Sequence, residues 1–283
     1  MLTKLYSLYP WYELWNPLLL LFLLFLSWLY YKKIVTSVEK MVTNRHLYCF
    51  LSSIVLLYFV KGSPLRIMGN DFLFTAYVFG VAILYFAIIP LFILSLPASF
   101  LQKYFWGYRL RKVVQIFSYP WIAAIIFNGV LTLYFVPYFF NQIHESDLLS
   151  FLIQFILMVA AFLMWWTIIA PLKNVGKFSY FVRVAYVFLN SLLLMPLGIF
   201  LILSLTNAHY SVYDAANYRF FSGMNGILDQ QLAGTTLKFI QLLGYGTALF
   251  FLIVRWGKEE EKREDENIRV VQGIVIQLPE KKS

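Results

Sequence analysis

The chain has 283 residues, of which 61% are hydrophobic and 20% aromatic, against only 13% charged. A soluble domain is nearer half apolar, with about a quarter of its residues charged; here the apolar residues lie in long uncharged runs that suit lipid and do not alternate as barrel strands would. The net charge of +9 is not the footprint of a nucleic-acid binder, because the basic residues collect at the ends of those runs.

Residues 1–16 are aromatic and weakly charged and lead into Asn16-Pro17. The first apolar run, 18–29, ends on Tyr30-Tyr31-Lys32-Lys33. A signal peptide carries its basic residues before the apolar core and a small-residue cleavage site after it, so this run is expected to stay as an anchor. Further spans fall at about 47–60, 72–96, 120–136, 150–170, 185–205 and 237–254. That makes seven, most of them near the ~20 residues that cross a ~30 Å hydrocarbon core, the second being short. The predicted fold is therefore all-α, a polytopic membrane protein of seven transmembrane helices. Cys49, the one cysteine, lies inside the second run, excludes an intrachain disulfide and reads as a packing residue.

Within the spans, Pro90, Pro137 and Pro196 are expected to kink or end helices. Ala76 with Gly80, and Gly244 with Ala248, are small residues four apart that suit close helix contact. Between the third and fourth spans, 99–117 carries Phe100, Tyr104 and Tyr108 at helical spacing among basic residues, as expected of a segment lying along the lipid surface. Residues 206–235 form the longest outer loop, rich in Tyr, Asn and Gly. From Lys258 the chain is a mixed-charge run, then 268–278 with strand-like alternation, read as a solvated and partly disordered tail. The domain division is a membrane domain over 1–257 and a cytoplasmic charged tail over 258–283.

Lys and Arg set the orientation. Lys32, Lys33, Lys40 and Arg45 fall in the first connection, Lys103, Arg109, Arg111 and Lys112 in the third, and Lys173, Lys177 and Arg183 in the fifth. The tail adds Arg255, Lys258, Lys262, Arg263, Arg269, Lys281 and Lys282, whereas the other side holds only Lys4, Lys61, Arg66, Arg219 and Lys238. The expected arrangement is N-terminus outside and C-terminus inside.

No Asp, Glu, Lys, Arg or His lies mid-span. That counts against proton-coupled transporters and pumps, and no nucleophile is paired with a base or metal, so the chain is not read as an enzyme. Asn128, Thr132, Gln154, Asn190, Ser191 and Gln241 read as interhelical hydrogen-bonding groups; Asn128, Asn190 and Gln241 as a polar path would instead make a small-solute or metal permease. Outside, His144, Glu145 and Asp147 share one short loop, His209 and Asp214 another, and Met68 and Met224 offer thioethers that suit Cu(I). None has the spacing of a defined site, and polar surface loops account for them more simply. The densest polar stretch beside a span is Asp229-Gln230-Gln231-Leu232-Ala233-Gly234. Its carboxylate is expected to cap the seventh helix, Gln230 and Gln231 to bond neighbouring helix ends, and Gly234 to permit close backbone approach. With Asn128, these form the candidate polar cluster, for structure or for partner contact.

Several short motifs also fall in a telling order: Leu14-Trp15-Asn16-Pro17, Lys61-Gly62-Ser63-Pro64-Leu65, and Ile89-Pro90-Leu91 on to Leu96-Pro97. Phe127-Asn128-Gly129 runs on to Pro137, Phe162 to Trp166 lies in the fifth span, Asp229 to Gly234 opens the seventh and Arg255-Trp256 closes it. In this the chain resembles the CtaG family of bacterial membrane proteins that assemble caa-type cytochrome c oxidase. The resemblance implies a multi-pass protein of the bacterial plasma membrane, non-enzymatic, with the subunits of a terminal oxidase as partners beside the lipid bilayer. It also implies support of copper insertion at the outer face by histidines. The family's histidine places correspond here to Tyr77 and Val81, to Phe135, and to the neighbourhood of Ser150 and Gln154, none of which is a histidine. Copper is thus the cofactor the resemblance suggests, while its ligands do not carry over and no metal residue is assigned.

Overall fold

In a computed structural model of the chain, the described residues are 2–36, 42–105, 107, 112, 114, 116–117, 119–172, 178–203, 210–213, 223–271 and 274–277. Helix α1 (Pro17–Tyr30) begins where Asn16, in the left-handed region at φ 35°, turns the chain. Asn16 Oδ1 accepts from the Leu19 N–H at 3.1 Å, and Pro17 occupies a first-turn position that needs no N–H. Helix α2 (Asn44–Lys61) stops at Gly62, and Ser63 Oγ then accepts from Leu65 N–H to restart the chain as Pro64–Ile67, the segment to Phe72 lying 48° off α2.

Helix α3 (Phe74–Leu94) follows, then α4 (Pro120–Tyr134), α5 (Asp147–Ile169), α6 (Tyr180–Ile202) and α7 (Gly226–Asn267). Pro137 opens a short helix, Pro137–His144, bent 75° from α4, as expected where a ring displaces the backbone N–H. Five helices are long and apolar enough to cross a membrane, and seven when each bent pair counts as one span. The all-helical membrane fold expected from composition is therefore what forms, with one addition. Strands β1 (Ile268–Val271) and β2 (Ile274–Gln277) make a small antiparallel hairpin, with Ile268 opposite Gln277 and Val271 opposite Ile274.

Two boundaries differ from the sequence expectation. The last helix starts at Gly226, not near 237, so the Asp229–Gly234 motif is helical; Asn225 Oδ1 accepts from Leu228 N–H at 2.8 Å and caps it. It also runs on to Asn267, through the charged residues that were expected to leave the helix. Of the surface segment expected over 99–117, Ala98–Phe100 and Leu101–Phe105 are helical, while Tyr108 lies outside the described residues.

Helix α3 forms the axis of the bundle. It packs on α7 along much of its length, and on α2 and α5 through its second half; α4 packs on α5 and α6, and α6 on α7. Helix α1 stays at the edge, attached mainly to α2, where the Tyr30 and Phe50 rings stack at 3.8 Å. The α3–α7 contact depends on Gly244: a Cβ there would sit 2.8 Å from the Phe86 carbonyl oxygen. That carbonyl is the α-helical acceptor facing Pro90, which has no N–H to give. The chain around it relaxes into a π-helical turn, Leu84–Ile88, and the next carbonyl back, Tyr85 O, accepts from the Trp165 indole at 2.7 Å. Two motifs far apart in sequence, Ile89-Pro90-Leu91 and Phe162–Trp166, are thus one device for satisfying a proline-broken ladder in lipid.

Candidate functional site

Helix α3 begins badly by its own local sequence. Leu73 stands at its N-cap and offers no side-chain acceptor, yet the first N–H groups of any helix need partners. Asp229 supplies them from 154 residues away. Its Oδ2 accepts from Phe74 N–H at 2.7 Å, and its Oδ1 accepts from Thr75 N–H at 2.8 Å. The Thr75 hydroxyl divides its one proton between Oδ1, at 2.6 Å, and the Asp229 carbonyl, at 2.9 Å. The carboxylate is fully buried and faces the positive end of the α3 dipole, which favours it further. Asp229 therefore caps a neighbouring helix and not its own, which corrects the sequence expectation; its own helix already has Asn225.

Of the rest of the motif, Gln230, Ala233 and Gly234 are buried, Gln231 is half-buried and Leu232 is exposed. Gln230 is buried beside Asp229, and Gln231 O accepts from the Thr235 hydroxyl. A Cβ on Gly234 would lie 2.6 Å from Leu201 Cβ, so the expected close approach is real, and the element approached is the end of α6.

Asn128 lies elsewhere, on α4. Its Nδ2 donates to Asn190 Oδ1 and to Ala124 O, both at 2.8 Å, while Asn190 Nδ2 donates to Tyr186 O. Gln241 Nε2 donates to Ser191 O, and Gln241 Oε1 accepts from Lys238 Nζ, which also donates to Leu194 O at the break before Met195–Ile202. These groups tie α4 to α6 and α6 to α7. Such pairs each contribute ~1 kcal/mol in lipid, and their amide groups bond either a neighbouring helix or the preceding turn of their own.

The positions that the resemblance assigned to histidines do converge, at the end of the bundle that holds the Asp229 cap. The Tyr77 and Tyr134 hydroxyls hydrogen-bond each other. Tyr77 meets Phe140 edge-on at 5.5 Å, Phe135 stacks on Phe140 at 6.1 Å, and Phe74 stacks on Tyr210 at 4.1 Å. Gln154 Oε1 accepts from Lys61 Nζ at 3.3 Å. This set does not fit copper. Phenols bonded to each other and phenyl rings give Cu(I) no soft lone pair, and an ammonium group beside Gln154 opposes any cation.

One histidine is there after all. His144, expected on a polar surface loop with Glu145 and Asp147, instead ends the Pro137–His144 helix with its ring stacked on Phe140 at 3.9 Å and edge-on to Tyr77 at 5.3 Å. Its Nδ1 lies 2.8 Å from the Phe140 carbonyl and donates to it. Glu145 and Asp147 remain exposed beside it, and Met68 and Met224 pack against the core. His209 and Asp214 lie outside the described residues. No group of three or more His, Cys, Asp or Glu side chains comes together among the described residues. Sequence reasoning missed the Asp229–Thr75 cap, the Lys61–Gln154 bond and the Lys238 bridge. The signal for the first was present, since a helix opening on Leu73-Phe74 without an acceptor must borrow one.

A family model described as "Cytochrome c oxidase caa3 assembly factor (Caa3_CtaG)" matches residues 28–259. No curated protein and no solved structure matches the chain.

Proposed function

Because the chain belongs to the cytochrome c oxidase caa3 assembly-factor family, we propose that it supports assembly of a haem–copper oxidase as a non-enzymatic membrane scaffold, without ligating copper itself. The observation that favours a scaffold over a copper carrier is the chemistry at the convergent end of the bundle. There the places of the family histidines hold a phenol pair, a phenyl ring and an ammonium–amide bond. The cap from Asp229, the Asn128–Asn190 pair and the Pro90–Trp165 device all fix helices relative to each other, which is what a docking surface for other membrane subunits requires.

The working location is the bacterial plasma membrane, with the N-terminus outside, the C-terminus inside and residues 258–283 as a cytoplasmic charged tail. The partners are lipid and oxidase subunits, met through lipid-facing helices and outer loops; nucleic acid is not among them. Helix α1 belongs to the least buried of the five long spans, with Leu18, Leu21, Phe22, Phe25 and Trp28 exposed. Deletion of the gene is expected to lower haem a absorbance of the membranes while oxidase transcript stays constant, and re-expression restores it. Unchanged oxidase absorbance and activity would reject the reading. Metal analysis of the protein co-purified with its partners is expected to show no stoichiometric copper on this chain.

A further inference from the structure

At the opposite end of the bundle, α2, α3, α5 and α7 leave a cavity of about 470 Å³, within the ~300–1,000 Å³ of sites that hold small organic ligands. Its walls are apolar, with Phe86, Leu94, Trp165, Ile169 and Leu252 among them. Leu243, Thr247 and Phe251 of α7 line it and are also exposed, so it opens sideways out of the bundle. Small residues create the space: Ala87 and Ala248 face it, next to the close α3–α7 contact at Gly244. Among the described residues, the charged members of the lining are two arginines, Arg45 in the first turn of α2 and Arg255 at the end of the apolar part of α7. Both are exposed. They stand where α3 and α5 end, beside Leu94 and Ile169.

We propose that this cavity binds one anionic phospholipid, an acyl chain filling the apolar slot and the phosphate held by Arg45 and Arg255. The match rests on three features that a merely lipid-facing groove lacks together. The slot is closed on the α3 and α5 sides, it is apolar along its length, and among the described residues its charge stands at one end and is of one sign. Guanidinium forks suit phosphate oxygens in paired hydrogen bonds, and basic pockets between membrane helices select anionic headgroups.

The chain provides its own reporter, because its single cysteine, Cys49, lines the cavity one turn from Arg45. The full chain is purified in detergent, stripped of lipid, and offered phosphatidylglycerol or phosphatidylethanolamine at equal concentration. Retained lipid is read by native mass spectrometry, and cavity occupancy by the rate at which N-ethylmaleimide alkylates Cys49. One phosphatidylglycerol is expected to be retained, slowing alkylation about tenfold, a difference of ~1.4 kcal/mol, while phosphatidylethanolamine slows it little. Arg45→Gln with Arg255→Gln is expected to remove the preference between the two lipids, and Ala248→Phe to remove protection by either. Each variant is compared at a matched elution profile and melting temperature; should the double variant fail that match, Arg255→Gln alone serves. Equal retention of the two lipids by the unaltered chain, or Cys49 alkylation unchanged by phosphatidylglycerol, would overturn the proposal.

Discussion

Asp229 shows how a single acidic residue can live against a membrane span. A buried carboxylate is costly unless it is hydrogen-bonded on both oxygens, and here three donors from Phe74 and Thr75 do this. Substituting Asp229→Ala strands the buried Phe74 N–H and the part-buried Thr75 N–H, a buried one costing ~1–3 kcal/mol, and removes a favourable dipole contact. The variant is therefore expected to lose roughly 2–4 kcal/mol of stability. It should melt well below the parent in detergent and accumulate less in membranes, with Asp229→Asn intermediate because it keeps one acceptor. A variant that accumulates normally and melts with the parent, yet fails to restore oxidase, would make Asp229 a partner-contact residue instead. The residue's importance was legible in the sequence, since an acid, two amides and a glycine rarely stand together beside an apolar run. Its partner was not, because nothing local to Asp229 points to Thr75, and a capping reading defaults to the nearest helix end. The same limit hid His144. A histidine seven residues past Pro137 looks like loop polarity until the bend of 75° turns its ring back onto Phe140.

At the scale of elements, periodicity and length located the spans well, because apolar runs near 20 residues have few alternatives in lipid. Where they failed was at the ends. The seventh helix begins eleven residues before its apolar run, since Asn225 caps it and Asp229 is satisfied by α3, so polar residues could enter the helix without leaving unpaired groups. Proline behaved as its chemistry dictates, but at Pro90 and beside Pro196 a donor came from another element. Pro90 leaves an acceptor in α3 for the Trp165 indole of α5, and Lys238 of α7 donates at the break before Pro196. Replacing Trp165→Phe keeps an aromatic wall but removes the donor to Tyr85 O. The expected loss is ~1–3 kcal/mol, measured as a lower melting temperature. In Pro90→Ala the helix recovers its own N–H, so Trp165→Phe in that background should cost less. An equal loss in both backgrounds would mean that the indole contributes packing alone.

For the molecule as a whole, the two ends of the bundle differ in kind. One is sealed by the Asp229 cap, the N-terminal helices and an aromatic cluster. There Tyr58 donates to Trp15 O and Arg66 to Glu13 O, while Tyr9, its phenol pushed up to about 12 by burial and then by Asp71, donates to the Asp71 carboxylate. The other holds Arg45, Arg255 and an open apolar cavity. The asymmetry of charge predicts which end faces the cytoplasm, because Lys and Arg near span ends are retained on that side. A reporter that is active only outside the membrane, fused after Gly223, is expected to be active, and the same reporter fused after Lys258 inactive. The decisive position is between α2 and α3. If the bent segment Pro64–Phe72 belongs to the second span, as a seven-span chain requires, a small tag at Asn70 is accessible from outside in intact cells. A tag reached only after the membrane is opened would mean that the five long helices alone cross, against the shared ends that the Arg66–Glu13 and Tyr30–Ser95 bonds give α1 and α3. Labelling Asn70 from both sides thus separates the two span counts while leaving both ends of the chain unaltered.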